Sequence, residues 1–423
     1  MAETVTGPLT FGQLSQLRDT ASLPPDARYQ ANVWRAGQLP PGATAAGIRR
    51  AVTAIRARHA GLRSCYHLEE FTQTVRPVGD EEQPVAVVAA PAETPAPVFA
   101  ERLARLLASR EVDLTTEEPW RVVVVTEDGR PSHLVTVVHH IAADLWSENL
   151  IAADFEHLLG GGEFSTPADS PLELALAQHS PRRHAERTAT EDYLREVYTA
   201  AAQTPARDRG AAPMVTVNAV LDSRAAVAGA ARRAADLRAH SPSFSVPSLV
   251  LAAFCHTAHR VLGATDILVH TLSSNRLHPG AATLVGNMVQ WAHLVSTHQD
   301  GEPFEEFACR LHDNAVRAYR FGCYDVDADD RIRRDVESTI GPIGCEISLN
   351  YAQAEPAALP TTAPDLRLRA VPAPYYGGPE FYLMAYYGSH VELTGRTRLE
   401  RFTHPEMENF LLSLHELLLP SSD

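Results

Sequence analysis

Two adjacent histidines, with an aspartate four residues after the second, offer the most chemistry in this chain. His139 and His140 close the run Leu134-Val-Thr-Val-Val138. Asp144 precedes a series of apolar positions: Trp146, Leu150, Ile151, Phe155, Leu158 and Leu159. The β-branched run predicts a buried strand. The three-and-four spacing after Asp144 predicts a helix with Trp146 in its core face, and Gly160-Gly161-Gly162 predicts where it stops. The histidines therefore stand where a strand gives way to a helix. Successive strand side chains point to opposite faces, so His139 and His140 cannot do the same job. One can face a cavity, where a neutral imidazole handles protons, while the other faces packing. The plainer reading is two core histidines satisfied by backbone groups.

The elements that must position these residues read as α/β. Residues 8–19 predict a strand edge running into an amphipathic helix. Tyr29–Trp34 predicts a strand, and Ala45–His59 a helix in which Ile48, Val52 and Ile55 recur at helical spacing. Residues 80–97 read as a surface connection. A helix over Phe99–Leu107 and a strand over Val122–Val125 follow, and Glu127-Asp-Gly-Arg130 predicts a hairpin turn into the strand of His139. Residues 160–212 are rich in Gly, Ser, Pro, Arg and Ala, with one helical piece near 185–202. The expected division is residues 1–175, a connection at 176–212, and residues 213–423. The second part predicts strands at Val215–Leu221, Ile267–Leu272 and Ile347–Tyr351, and a strand pair at Phe381–Tyr386 and Val391–Thr394. It predicts helices at Ala225–Ala239, Val246–Val261, Glu302–Ala318 and Pro405–Leu419.

Length and composition bound the function. At 423 residues the chain is too long for one ordinary core. Its 45 % hydrophobic and 21 % charged content reads as globular. The apolar runs fall short of a membrane span, and no basic stretch precedes an apolar one at Met1, so the expectation is a cytoplasmic protein with no membrane partner. The net charge of −15 argues against a nucleic-acid partner. Cysteines 65, 255, 309, 323 and 345 are odd in number and form no CxxC, so neither a disulfide framework nor a zinc site is indicated.

His-His-x-x-x-Asp, as His139, His140 and Asp144, resembles the signature of the condensation domains of nonribosomal peptide synthetases, relatives of chloramphenicol acetyltransferase. Other landmarks agree in order and spacing. Pro8–Asp19 resembles the first motif of that family, and Arg58-His-Ala-Gly-Leu-Arg63 resembles its Arg-His-x-x-Leu-Arg. Arg276 and Gly286 match its later arginine and glycine, and Ile347-Ser-Leu-Asn-Tyr351 resembles its Ser-Phe-Asn-Tyr. The resemblance implies an α/β fold of two chloramphenicol acetyltransferase-like lobes, forming a V-shaped pseudo-dimer with a central tunnel. It implies that His140 is the catalytic residue and that Arg276 pairs with Asp144, a pairing that suits a buried carboxylate. His139 is expected in packing and Ser147 along the donor channel.

Three departures stand out. Leu145 replaces the glycine that follows the aspartate, Gln290 and Trp291 replace Asn-Thr, and Arg320-Phe-Gly-Cys-Tyr-Asp325 replaces His-Gln-Asp-x-Pro-Phe. Leu145, Gln290 and Trp291 are expected to reshape the tunnel. The implied activity is acyl transfer from a phosphopantetheine thioester on an acyl or peptidyl carrier protein to a small-molecule amine or alcohol. No bound cofactor and no metal are required. A free-standing condensation enzyme of natural-product biosynthesis is the leading expectation. A recruitment module binding a carrier-tethered peptide, and a coenzyme A-dependent acyltransferase, are the alternatives.

Overall fold

A computed structural model describes residues 4–79, 84–166, 168–203, 217–277, 281–356, 359, 364–371, 379–397 and 402–420. The chain forms two units. Unit 1 comprises Met1–Ala185 with Ser274–Gln290, and unit 2 comprises Glu186–Ser273 with Trp291–Asp423. This differs from the contiguous division expected at 176–212. The segment after residue 273, with Arg276 and Gly286, returns to unit 1, and only contacts distant in sequence can reveal such a return.

Unit 1 runs in order through β1 (Val5–Pro8), α1 (Phe11–Ala21), β2 (Asn32–Gln38), α2 (Ala45–Arg58), β3 (Ser64–His67), β4 (Thr72–Val75), β5 (Ala86–Ala89), α3 (Ala96–Ala108), β6 (Trp120–Glu127), β7 (Arg130–His139), α4 (Leu145–Leu159) and α5 (Pro171–His179). Among the described residues its strands form a three-stranded sheet, β1-β4-β3, and a four-stranded sheet, β2-β7-β6-β5. β7 lies inside the second sheet, antiparallel to both β2 and β6. Asp128 and Gly129 both adopt positive φ, the geometry that a two-residue hairpin between twisted strands demands. Ala100 and Ala104 of α3 let that helix approach Val123, Val125 and Val135 closely. Tyr29, expected at the head of a strand, lies instead in a 3-10 turn over Pro25–Ala31, and β5 occupies part of the expected surface connection.

The motif at residues 58–63 is an anchor. His59 ends α2, and its Nε2 lies 2.6 Å from Asp154 of α4, with Arg58 3.6 Å from the same carboxylate. This fixes the helix that begins beside the two histidines.

Unit 2 begins within α6 (His184–Ala202) and continues through β8 (Val217–Ser223), α7 (Ala225–Leu237), α8 (Val246–Leu262), β9 (Asp266–Ser273), β10 (Gln290–Thr297), α9 (Phe304–Arg320), α10 (Val326–Thr339), β11 (Glu346–Ala352), β12 (Leu366–Ala370), β13 (Phe381–Tyr387), β14 (Val391–Thr397) and α11 (His404–Leu418). Positions 215 and 216 of the expected first strand lie outside the described residues. The described strands make one mixed sheet in the order β10-β9-β11-β13-β14-β8-β12. Its buried face carries Leu221, Val269, Leu349, Leu383 and Leu393, packed under Phe254 of α8 and Phe410 of α11. No helix among the described residues is long and apolar enough to cross a membrane.

Candidate active site

β7 delivers the two histidines and α4 begins just after them. The His139 N–H donates to the Pro119 carbonyl and the His140 N–H to the Ala31 carbonyl, both at 2.7 Å, so the strand pairing holds the backbone on both sides. The His139 side chain is buried, and its Nδ1 accepts the Ile141 N–H at 3.1 Å. Burial, then the neighbouring His140, push its pKa down to about 3. His139 is therefore a neutral packing group whose ring nitrogen stabilises the turn into α4.

His140 is half-buried. Its carbonyl accepts from the Asn287 side-chain amide at 2.8 Å, and the same amide nitrogen lies 3.3 Å from His140 Nδ1. Asn287 Oδ1 accepts the Val289 N–H at 2.9 Å, which fixes the amide so that its nitrogen faces the histidine. The Asn287 amide nitrogen also donates to the Gln16 side-chain oxygen Oε1 at 3.3 Å. Nε2 of His140 has no hydrogen-bond partner among the described residues and is the ring nitrogen open to a reactant. Two glycines let the Asn287 segment come this close. A Cβ on Gly12 would meet Asn287 O at 2.6 Å, and one on Gly61 would meet Val285 O at 2.6 Å.

Asp144 is fully buried and caps α4. It accepts the Ser147 N–H at 2.9 Å and the Met288 N–H at 3.2 Å. Nη2 of Arg276 lies 2.8 and 2.9 Å from its two oxygens. A single guanidinium nitrogen thus bridges the carboxylate. Nη1 is spent on the carbonyls of Ala281 and Leu284, each at 2.7 Å, so the pair is not a two-nitrogen fork. The arginine thereby ties the capped end of α4 to residues 281–286, and through them to the Asn287 that holds His140.

Ser147 belongs to this knot. Its hydroxyl proton has Asp144 Oδ1 at 2.8 Å and Gly286 O at 3.0 Å as acceptors, and its oxygen receives Arg276 Nη2 at 2.9 Å. Closed to solvent, it does not line a channel, which corrects the expectation. Gln290 opens β10 and is 1 % exposed, so it does not line a passage either. Trp291 falls in unit 2, where its carbonyl accepts from the Tyr324 hydroxyl at 2.7 Å. Leu145 is the first residue of α4. It is partly exposed and is not among the positive-φ residues, so the site has no need of glycine's backbone freedom there. Trp146, expected in the core, is 47 % exposed. It donates Nε1–H to the Ala282 carbonyl at 3.0 Å and lies over the Arg276 guanidinium. Helical spacing put it on the apolar face, but its indole N–H needs an acceptor, which the partly exposed position supplies.

Two residues escaped the sequence reading. Asn287 carried no periodicity signal; its one mark is that it follows Gly286. Glu148 interrupts the stripe that continues at Ile151 and Phe155, and an acidic residue in an apolar stripe was the available sign. It lines a cavity of about 290 Å³ between α4 and the β2–β7 face, with Val33, Arg35, Thr136 and Val138 among its neighbours. Burial pushes the Glu148 pKa up to about 7, Arg35 opposes this, and Asp144 adds to it.

Comparison with known proteins points one way. The sequence model of the condensation domain matches residues 26–365. The AMB antimetabolite synthetase AmbB of Pseudomonas aeruginosa is 32 % identical over 270 residues, which is 60 % of this chain and 20 % of that protein. The phosphinothricin tripeptide synthetase PhsB of Streptomyces viridochromogenes is 26 % identical over 332 residues, 75 % of this chain and 27 % of that protein. The chain thus spans between a fifth and about a quarter of these relatives. A solved structure described as the molecular basis for condensation domain-mediated chain release from the enacyloxin polyketide synthase superposes with a TM-score of 0.75. It shares 22 % identity and covers 99 % of this chain and 83 % of that one. The fold is the chloramphenicol acetyltransferase-like one of condensation domains.

Proposed function

Because this chain belongs to the condensation-domain family, we propose that it joins a carrier-bound acyl or aminoacyl group to an amine or alcohol, with His140 as the catalytic residue. The acceptor nitrogen or oxygen attacks the thioester carbonyl of a phosphopantetheine arm. Nε2 of His140 holds the attacking group and takes its proton, the C–S bond breaks, and the proton passes to the departing thiolate. The products are an amide or ester and the free phosphopantetheine thiol. A positioned base of this kind contributes roughly 10²–10⁴-fold.

The observation that carries this reading is the state of His140. Its backbone is held on both sides, by Ala31 and by Asn287, while Nε2 has no partner among the described residues. A histidine retained for packing would engage both nitrogens or bury them. Asp144, Arg276 and Asn287 are positioning residues that fix the turn in which His140 stands, and His139 packs beneath it. Leu145, partly exposed beside that turn, is the departure from the family pattern best placed to narrow the choice of substrate.

The test is product formation by mass spectrometry. Acyl groups loaded on a carrier protein are offered with a panel of amines and alcohols, using the wild type and His140→Ala. The variant should melt within a few degrees of the wild type and lose at least about 100-fold in rate. Transfer that survives in the folded variant would remove His140 from the chemistry. Transfer from free acyl-coenzyme A without any carrier would redirect the assignment to a coenzyme A-dependent acyltransferase. Binding of a loaded carrier without transfer would make the chain a recruitment module.

A further inference from the structure

Unit 2 contains a polar cluster that the proposed reaction does not use. Asp222 of β8 stands directly opposite Glu392 of β14 in the antiparallel register, so both carboxylates project from one face of the sheet. His390 is two residues before Glu392, at the turn into β14, and its ring joins them. The Asp222 side chain is 1 % exposed and the His390 side chain 3 %. Among the described residues neither oxygen of Asp222 has a hydrogen-bond partner, nor does Nε2 of His390. The same chain surrounds another fully buried aspartate, Asp144, with donors from Ser147, Met288 and Arg276. A buried carboxylate with no donor costs several kcal/mol unless something else neutralises it.

Among the described residues Arg369 of β12 is the cation in ion-pairing range of both carboxylates. Its Nε lies 3.5 Å from Asp222 Oδ2 and its Nη2 3.9 Å from Glu392 Oε2. Both contacts fall within ion-pairing range, but the Asp222 oxygens and Arg369 Nε still make no hydrogen bond. The arginine sits at the edge of the cluster and offsets one of its two negative charges. His390 Nε2 is 3.8 Å from Asp222 Oδ1. One donor atom each from Asp222, His390 and Glu392 lie within 4.8 Å of one another. Ligands at about 2.0–2.2 Å around a tetrahedral ion stand about 3.5 Å apart, so the three have only to draw together by roughly an ångström. One imidazole nitrogen with two carboxylates suits zinc or manganese. Calcium and magnesium favour oxygen alone, and copper(I) favours sulfur.

We propose that Asp222, His390 and Glu392 bind one divalent transition-metal ion of the zinc or manganese class. The ion offsets the negative charge that Arg369 leaves uncompensated, takes up the oxygens of Asp222 that lack a donor, and pins the turn between β13 and β14 to β8. No cysteine takes part, which is why a search for cysteine spacing passes over the site. The inference is independent of the acyl-transfer reading, since it concerns structural stability.

The experiment uses the whole chain. Protein stripped with a chelator is equilibrated with zinc or with manganese, desalted, and its metal content measured. Its melting temperature is followed against the concentration of each ion. The 19 histidines offer adventitious zinc sites, so the comparison with Asp222→Asn and His390→Gln decides. The wild type should retain one equivalent more than either variant. It should gain about 5–10 °C at a hundredfold excess over the dissociation constant, a gain the variants lack. Should Asp222→Asn fail to fold, Glu392→Gln, at a partly exposed side chain, makes the same comparison. Equal metal content and equal shifts in wild type and variants would mean adventitious binding only, and the cluster would be an ion-pair network.

Discussion

Asp144→Asn separates positioning from chemistry at this site. The substitution keeps the shape of the side chain and an oxygen able to accept the Ser147 N–H, but it removes the charge opposite Arg276. The guanidinium is then buried against the carbonyls of Ala281, Leu284 and Gly286, with no anion. Breaking one side of a buried pair costs about 3–5 kcal/mol, a large share of the roughly 5–15 kcal/mol that holds a domain folded. The melting temperature should fall by about 10 °C. Urea unfolding followed by tryptophan fluorescence reports on the right part of the molecule, since Trp34, Trp120 and Trp146 lie in unit 1 and Trp291 in unit 2. Arg276→Met should cost a similar amount. The double variant should cost less than the sum of the two by about 1–3 kcal/mol, because neither charge is then left alone. Asp144→Asn that loses 100-fold in transfer while staying within about 0.5 kcal/mol of wild-type stability would refute the reasoning and place the carboxylate in the reaction itself.

Asn287→Ala frees the His140 carbonyl and should lower kcat by about 10–100-fold through misplacement of the ring, at a cost in melting temperature of only a few degrees; unchanged kcat in steady-state assays would end that assignment. His139 has a folded-state pKa depressed to about 3, so its contribution is complete above its unfolded pKa of about 6.5 and is lost as pH falls toward 3, at up to about 1.4 kcal/mol per pH unit. Urea midpoints should therefore fall more steeply from pH 6.5 to 4.5 in the wild type than in His139→Gln, and parallel profiles would contradict the buried neutral ring. Glu148 has a folded-state pKa raised to about 7, so its ionisation costs stability increasingly between about pH 4.5 and 7. Glu148→Gln should melt above the wild type at pH 8, by up to about 3 kcal/mol of stability, and match it near pH 4.5; equal melting at both pH values would mean that the carboxylate is well solvated.

The elements with the clearest periodicity were the most legible. α2, α4, α8 and α11 start and stop within a residue or two of their predicted limits, since each shows apolar positions at helical spacing and a recognisable end. The hairpin before β7 was equally plain from Asp128-Gly129. α10 was not predicted because Val326–Thr339 is dense in charge. Three of its apolar side chains, Ala328, Ile332 and Val336, are buried, one per turn. A stripe that narrow is hard to tell from a polar loop until the neighbouring core is known. The return of residues 274–290 to unit 1 was illegible for a different reason. No local composition distinguishes a segment that crosses between units from a loop that does not.

At the site, what could be read depended on whether the partner was implied by chemistry. A carboxylate buried in an apolar setting is best paired with a cation, and the family pattern supplied Arg276. The two hydrogen-bonding roles of Ser147 and Asn287 carry no such requirement, because a serine near a helix N-terminus and an asparagine after a glycine each have many unremarkable explanations. Yet these neutral groups make the ion pair useful. Asp144 and Arg276 alone would fix only α4 to residues 281–286. Ser147 bonds to both partners and to Gly286, and Asn287, the next residue, carries the constraint to the His140 carbonyl. Charge thus determines which segments meet, and the uncharged amide determines how the imidazole stands. It follows that loss of the amide should appear first in rate, and loss of the charge first in stability.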